Sequence, residues 1–138
     1  MTSTVTSALG SDEKAVCAVL DQMYTAWAAG DADAIASLYA TDATVVMPGV
    51  YHAGAKSVRD WFAAGFAGRL QGSTATDEAR SVRFASADAA VVISTGGILL
   101  AGETSVPAER LVRATWVLAR RDGNWLIVAY HNCPLHAS

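Results

Sequence analysis

The chain has 138 residues, of which 52% are hydrophobic and 17% are charged, and its formal net charge is −3. A chain of this length forms one domain and buries roughly 68–70% of the surface that it exposes when unfolded. A negative charge without a basic run argues against nucleic acid and against an anionic membrane as partners. No apolar run is long enough to span a membrane.

The first ten residues are rich in Ser and Thr and lack the basic and apolar regions of a secretory leader. We therefore expect a cytoplasmic protein with a disordered tail over residues 1–10 and a single domain over residues 11–138. The two cysteines, Cys17 and Cys133, cannot build a disulfide framework and are predicted to be free thiols.

The first half of the chain predicts three helices. Ser11 is placed to cap a first helix that ends at Gly30, and its apolar stripe consists of Val16, Leu20, Met23 and Trp27. A short second helix begins at Asp31 and ends before Thr41, and the stretch ATVVMPG then predicts a strand and a turn. A third helix is predicted from Ala55 to about Ala67, with an apolar face formed by Val58, Trp61, Phe62 and Phe66.

The second half predicts four strands, over Ser81 to Ala85, Ala89 to Leu100, Arg110 to Arg120 and Asn124 to Cys133. Gly96-Gly97 indicates a bulge or bend in the second of them, and Asp122-Gly123 indicates a tight hairpin between the last two. Helices followed by an antiparallel sheet predict an α+β fold, and a sheet that curls over three helices leaves a conical cavity.

Three stretches carry a family resemblance: AAGDADAIASLYATDATVVMPG, GAKSVRDWF and the closing hairpin RRDGNWLIVAYHNCP. In this order they resemble the NTF2-like superfamily, which includes SnoaL-type cyclases, scytalone dehydratase and ketosteroid isomerases, and within it the SgcJ/EcaC group associated with enediyne antibiotic biosynthesis. The resemblance implies a cone-shaped pocket, acid–base chemistry without a cofactor in some members, and dimers through the outer face of the sheet.

Two departures from the family pattern speak against isomerisation of the ketosteroid type. Where those enzymes carry the general-base carboxylate, this chain has Met47. Where they carry a second acid, it has Arg113 or Thr115.

His131 is the predicted acid–base residue. Side chains alternate along a strand, so His131 shares a face with Trp125, Ile127 and Ala129, and this apolar face is expected to meet the helices. An imidazole there could transfer a proton near neutral pH, or it could be a core histidine bonded to a carbonyl or a tyrosine hydroxyl. A two-residue turn would place Ala114 opposite His131, and a three-residue loop would place Arg113 there.

Aromatic side chains from several elements are expected to converge on the sheet, where they either line a ligand site or form the core. We predict Tyr24 as a second catalytic residue. The predicted substrate-binding residues are Trp27, Tyr39, Met47, Tyr51, Trp61, Phe62, Phe66, Arg113, Trp116 and Asn132.

No metal site and no cofactor are predicted, because the chain lacks the spacing of a zinc site, a phosphate loop and a nucleophile elbow. One functional hypothesis is an enzyme that cyclises, dehydrates or isomerises a hydrophobic polyketide intermediate. The other is a binding or accessory protein that shields such an intermediate or assists the synthase through transient contact. The apolar residues Val117, Leu126 and Val128 predict a homodimer through the outer sheet face.

Overall fold

A computed structural model describes the backbone of residues 2–136 and the side chains of residues 10–78 and 81–136. In chain order the elements are α1 (Thr2–Ala28), α2 (Ala32–Ser37), β1 (Tyr39–Met47), β2 (Val50–Ala53), α3 (Ala55–Phe66), β3 (Thr74–Ser86), β4 (Ala89–Leu99), a 3-10 turn (Ala108–Arg110), β5 (Val112–Arg121) and β6 (Asn124–Pro134). This order of helices and strands confirms the predicted α+β class.

The helices begin and end largely where the capping residues predict. Asp31 caps α2, since its carboxylate accepts from the Ala34 amide at 3.0 Å, and Gly30 before it has the positive φ of 66° that ends α1. The start of α1 is a correction: the helix begins at Thr2, so Ser11 is not its cap. Disorder of residues 1–10 stays a prediction, because Met1 and the side chains of residues 2–9 lie outside the described part.

The six described strands form one sheet in the order β2-β1-β6-β5-β4-β3. All neighbours pair antiparallel except β1 and β6, which are parallel. Sequence reasoning missed the edge strand β2 and the first seven residues of β3, which begins at Thr74 instead of Ser81. These two edge strands prove important because both contribute polar residues to the cavity.

A β-bulge in β6 reverses which side chains face the helices. The hairpin turn at Asp122-Gly123 is the two-residue alternative of the two that the sequence left open, with positive φ at both positions and Arg121 opposite Asn124. The pairing then shifts by one residue, because Leu118 pairs with Ile127 whereas Val117 pairs with Ala129. Val128 is therefore the extra residue of the bulge, and the simple alternation assumed from the sequence fails beyond it.

The predicted position of His131 is consequently wrong. Thr115 lies opposite His131, so neither Ala114 nor Arg113 is its partner, and His131 is exposed. Tyr130 and Asn132 face inward in its place, opposite Trp116 and Ala114.

Gly96 and Gly97 form no bulge, so of the bulge or bend expected there the bulge is wrong. Pairing between β3 and β4 continues through both glycines, and the register shifts fall between Ala79 and Ser81 and between Phe84 and Ser86. The glycines instead permit close contacts: a Cβ on Gly96 would lie 2.1 Å from the Thr76 carbonyl oxygen. This close approach brings β3 against β4 at the edge of the cavity.

The core lies between the concave face of the sheet and the helices. Its fully buried side chains include Val16 of α1, Ile35 of α2, Val58 of α3 and Leu118 and Ile127 of the sheet. Burying each such side chain contributes about 1.5–3 kcal/mol. The core thus fills one end of the space under the sheet and leaves the other end open.

Candidate active site

A cavity of about 280 Å³ opens between the helices and the concave face of the sheet. This volume is close to the low end of the range of about 300–1,000 Å³ for small-molecule sites. Most of the wall is aromatic or aliphatic, contributed by Met23, Tyr24, Trp27, Tyr39, Val45, Met47, Val58, Trp61, Phe62, Ile98, Leu111, Val112, Ala114, Trp116 and Tyr130.

Most of the residues predicted for the site do line this cavity. They are Tyr24, Trp27, Tyr39, Met47, Trp61, Phe62, Trp116 and Asn132. Their roles in binding or catalysis stay predictions, since lining a cavity is also compatible with packing.

Four predicted site residues lie elsewhere. His131 and Arg113 are exposed because the bulge at Val128 and the pairing of β5 turn them outward. Tyr51 is 67% exposed because it alternates with His52 on the edge strand β2. Phe66 stacks on Phe62 at 5.7 Å between ring centroids and so lies behind the cavity wall.

Asp77 of β3 is the inward carboxylate that sequence reasoning missed. Tyr24 of α1 donates a hydrogen bond to Asp77 Oδ2. On the other side, Trp116 Nε1 donates to the buried Ser94 Oγ at 3.1 Å, and the Ser94 hydroxyl donates in turn to Asp77. A chain of hydrogen bonds therefore runs from the indole on β5, through Ser94 on β4, to the carboxylate on the edge strand β3.

The surroundings of Asp77 change its acidity in two opposing ways. Burial raises the pKa of the Asp77 carboxyl above its ordinary value, because the charged form loses hydration. Hydrogen bonds from Tyr24, Ser94 and the Glu78 amide lower it, but burial outweighs them. The pKa of the Tyr24 hydroxyl is raised by burial and by the nearby charge of Asp77, so Tyr24 remains a neutral donor.

Tyr130 presents a second hydroxyl to the cavity. Asn132 Nδ2 donates to the Tyr130 oxygen at 2.9 Å, which leaves the Tyr130 proton free to bond a ligand. Burial raises the pKa of Tyr130 to about 12, so the group is protonated at neutral pH. The ring is fixed against Trp116, with centroids 4.4 Å apart.

His52 and Arg110 add two further polar groups to the lining. The Nδ1 atom of His52 lies 3.0 Å from Ser57 Oγ at the start of α3. Arg110 follows β4 in the 3-10 turn and pairs with Glu103, which also accepts from the Leu100 amide at 2.7 Å. This hydrogen-bonded pair holds the loop between β4 and β5 against the cavity.

The sequence carried little signal for these polar groups. Asp77 and Glu78 sit side by side in TATDEAR, where no apolar alternation marks a strand or a face. His52 follows the Pro48-Gly49 turn, and the β-branched residues before that turn are the only local signal for a hairpin that would include it.

Within the part of the chain that the structure describes, no group of three or more His, Cys, Asp or Glu side chains is arranged to hold a metal ion. Cys17 and Cys133 are both free thiols. None of the described helices has the length and apolar character needed to cross a lipid bilayer.

Known structures share this arrangement. A domain of unknown function with a cystatin-like fold from Nostoc punctiforme is 24% identical, with a TM-score of 0.84, over 92% of this chain and 79% of that one. A proposed dehydratase of the NTF2-like family from Streptomyces avermitilis is 25% identical, with a TM-score of 0.74, over 93% and 99%. A proposed calcium/calmodulin-dependent protein kinase II association domain from Xanthomonas campestris is 25% identical, with a TM-score of 0.72, over 89% and 87%.

Three helices packed on a curved, mostly antiparallel sheet around a cavity define the NTF2-like cone fold. The sequence pattern of the SnoaL-like domain matches residues 16–135. The chain belongs to the SnoaL-like domain family. A search among curated proteins gave no match, and the narrower resemblance to the SgcJ/EcaC group stays a prediction.

Proposed function

We propose that the protein is a cofactor-independent acid–base enzyme that dehydrates, isomerises or cyclises a compact, mostly apolar intermediate. The observation that carries this proposal is Asp77, a carboxylate of raised pKa in a mostly apolar cavity. Such a group is a stronger base than an ordinary aspartate, and perturbed carboxylates in cavities are typical of catalytic sites. The proposed dehydratase from Streptomyces avermitilis gives independent support for this reaction class.

In the proposed reaction, the Asp77 carboxylate accepts a proton from a carbon next to a carbonyl group of the substrate. The Tyr130 hydroxyl donates to that carbonyl oxygen and stabilises the enolate, because its own oxygen is already occupied by Asn132. Return of the proton from Asp77 to another carbon gives isomerisation. Transfer of that proton from Asp77 to a β-hydroxyl group, while the C–O bond breaks and the enolate forms the C=C bond, releases water and gives dehydration. Tyr24 positions Asp77 and moderates its pKa.

The biological setting in this proposal is the polyketide or enediyne-type secondary metabolism that the sequence resemblance implies, and the proposed location is the cytoplasm. The cavity supports a substrate of one or two rings within that chemistry, because its volume is about 280 Å³. An extended polyene would have to leave part of its length outside.

Hydrogen exchange of 2-tetralone in D₂O, followed by NMR, tests the proton transfer without knowledge of the substrate. The C–H bond next to the carbonyl breaks, Asp77 takes the proton, and a deuteron from solvent replaces it. We expect wild type to accelerate exchange and Asp77→Asn to lower that rate by about 100-fold or more, which is the usual contribution of a general base. The exposed Asp60→Asn variant is the matched control and should exchange like wild type.

The Tyr24→Phe variant provides a second, independent test that Asp77 is the group that accepts the proton. It removes a hydrogen bond that lowers the pKa of Asp77, so the midpoint of the rate against pH should move upward. An unchanged pH profile would show that Asp77 is not the group that titrates. Equal exchange by wild type and Asp77→Asn would end the catalytic proposal.

A binding protein without catalysis is the second candidate. Asp77 accepts hydrogen bonds from Tyr24, Ser94 and the Glu78 amide, and a carboxylate so fully bonded can serve structure alone. In this role the cavity would shield an intermediate or deliver it to a synthase. Binding of 2-tetralone without accelerated exchange would favour this candidate.

We also propose a homodimer through the outer sheet face. Val46 on this face is 38% exposed, and Val117 is half-buried in the single chain. Covering such side chains in a partner removes apolar surface from water. The similar structure from Xanthomonas campestris carries the name of an association domain, which supports a role of this fold in assembly.

A further inference from the structure

Two buried polar atoms have no hydrogen-bond partner among residues 10–78 and 81–136: His52 Nε2 and Arg110 Nε. Roughly 90% or more of buried polar groups in folded proteins are bonded, so each exception calls for an explanation. Both residues line the same cavity. A ligand that supplies both missing partners explains the two exceptions together.

The His52 ring is held on two sides, so its Nε2 atom has a fixed position. Its strand β2 pairs with β1, with His52 opposite Val45. Ser57 Oγ bonds Nδ1 at 3.0 Å, and the Trp61 ring lies 5.9 Å away between centroids. The Ser57 hydroxyl can donate or accept, so Nε2 can accept from a hydroxyl group or donate to a carbonyl oxygen.

Arg110 is held just as firmly but can only donate. Its Nη2 atom donates to the Ile98 carbonyl at 2.9 Å and also to Glu103. The buried Nε–H group has no acceptor in the described part of the chain and therefore requires one from the ligand. Because Glu103 offsets the charge of Arg110, this donor suits a neutral oxygen at least as well as a carboxylate.

The charges around the cavity also favour an uncharged ligand. Asp77 and Glu109 line it on the negative side, and Arg69 and Arg110 on the positive side. Because Glu103 pairs with Arg110, the net charge of these side chains is not positive. An anionic ligand would gain no net attraction and would lose its hydration.

We propose that the cavity recognises a compact, uncharged ring molecule with two separated oxygen atoms, one bonded by His52 Nε2 and the other by Arg110 Nε. The proposal rests on the cavity of the proposed function, but it does not require catalysis. Separation of the two oxygens follows from the topology. His52 lies on β2 at one edge of the sheet, whereas Arg110 lies in the loop between β4 and β5, towards the other edge.

Calorimetric titration with four matched bicyclic probes tests this recognition: naphthalene, 2-naphthol, 2,6-dihydroxynaphthalene and 6-hydroxy-2-naphthoic acid. Each hydrogen bond to an orphaned atom should strengthen binding by about three- to tenfold. We therefore expect the diol to bind about ten- to a hundredfold more tightly than naphthalene, with 2-naphthol between them. The acid should bind more weakly than the diol.

Two variants assign the bonds to their residues. His52→Phe keeps the ring volume without the nitrogen, and Arg110→Lys keeps the positive charge opposite Glu103 without the Nε–H group. Each should reduce diol affinity by about three- to tenfold and leave naphthalene affinity unchanged. Tyr51→Phe, on the exposed side of β2, is the control and should bind all four probes like wild type.

The outcomes separate this inference from the proposed function. Equal affinity for the diol and naphthalene would show that water satisfies both atoms, which overturns the two-oxygen proposal but leaves the cavity as a ligand site. Tighter binding of the acid than of the diol would overturn the inference that the ligand is uncharged. Failure of all four probes to bind would overturn this inference and the ligand-binding role together.

Discussion

The glycine at position 96 determines how closely Asp77 approaches the centre of the sheet, and Gly96→Ala tests this directly. A Cβ at this position would lie 2.1 Å from the Thr76 carbonyl oxygen and 2.8 Å from Asp77 Oδ1. Real Cβ atoms essentially never come closer than 3.0 Å to a neighbour, so β3 would have to move by at least 3.0 − 2.1 = 0.9 Å. Backbone oxygen cannot rotate away as a flexible side chain can.

A displacement of this size removes interactions of known magnitude. Inter-strand hydrogen bonds near 2.9 Å would lengthen beyond bonding distance, at a net cost of about 0.5–1.5 kcal/mol each. Overpacking adds about 1–3 kcal/mol. We therefore expect Gly96→Ala to lower the free energy of unfolding by about 2–4 kcal/mol. At about 3–5 °C per kcal/mol for a chain of this size, Tm should fall by about 6–20 °C.

Thermal unfolding followed by far-UV circular dichroism measures this change, and Gly97→Ala provides the matched control. A Cβ on Gly97 would lie 2.6 Å from Val106 Cγ1, which is a side-chain atom that can turn aside. The control should therefore lose clearly less stability. If Gly96→Ala melted like wild type, or like the control, the close contact between the strands would not be what places Asp77.

Three further predictions follow from buried and half-buried groups. Because the pKa of Asp77 is raised in the folded state, its charged form destabilises the fold above that pKa, and this penalty disappears as pH falls through it. Asp77→Asn should therefore be more stable than wild type in urea unfolding at pH 7.5. If the stability difference between Asp77→Asn and wild type grew toward pH 4, the direction of the pKa shift would be wrong. Ser73→Ala leaves the Trp27 indole N–H without its 2.9 Å partner and should cost about 1–3 kcal/mol in the same assay, whereas the exposed Ser37→Ala should cost less than about 0.5 kcal/mol. Val117→Glu should convert a dimer into monomers in sedimentation equilibrium, and a monomeric wild type would contradict the dimer.

The helices and their inward faces could be predicted because their signals are local. Val16, Leu20, Met23 and Trp27 recur at helical spacing, and all four are buried in α1. Tyr24 could be placed near the site because it follows Met23 at the same end of the helix. The hairpin at Asp122-Gly123 was equally predictable, since that turn needs positive φ at both positions.

The polar part of the site could not be predicted, because it depends on pairing between distant segments. Asp77 faces the cavity through its register with Gly96, nineteen residues later in the chain, and nothing in TATDEAR encodes that register. His131 was misplaced for the same reason. The alternation from Trp125 is correct as far as Ile127, and the extra residue Val128 then reverses it.

The bulge at Val128 therefore decides which chemistry the cavity can hold. With an unbroken alternation, β6 would present His131 to the cavity, and the Tyr130 and Asn132 pair would face outward. With the bulge, Tyr130 and Asn132 enter beside Trp116, and this pair supplies a neutral donor in place of an imidazole. The proposed proton transfer is therefore assigned to Asp77 of β3, and His52 of the edge strand β2 is a further polar group of the same cavity. The polar groups of the cavity come from both edge strands, from β6, from α1 and from the loop before β5. The neutral ring molecule proposed above, with oxygen atoms at separate positions, would match this dispersed arrangement.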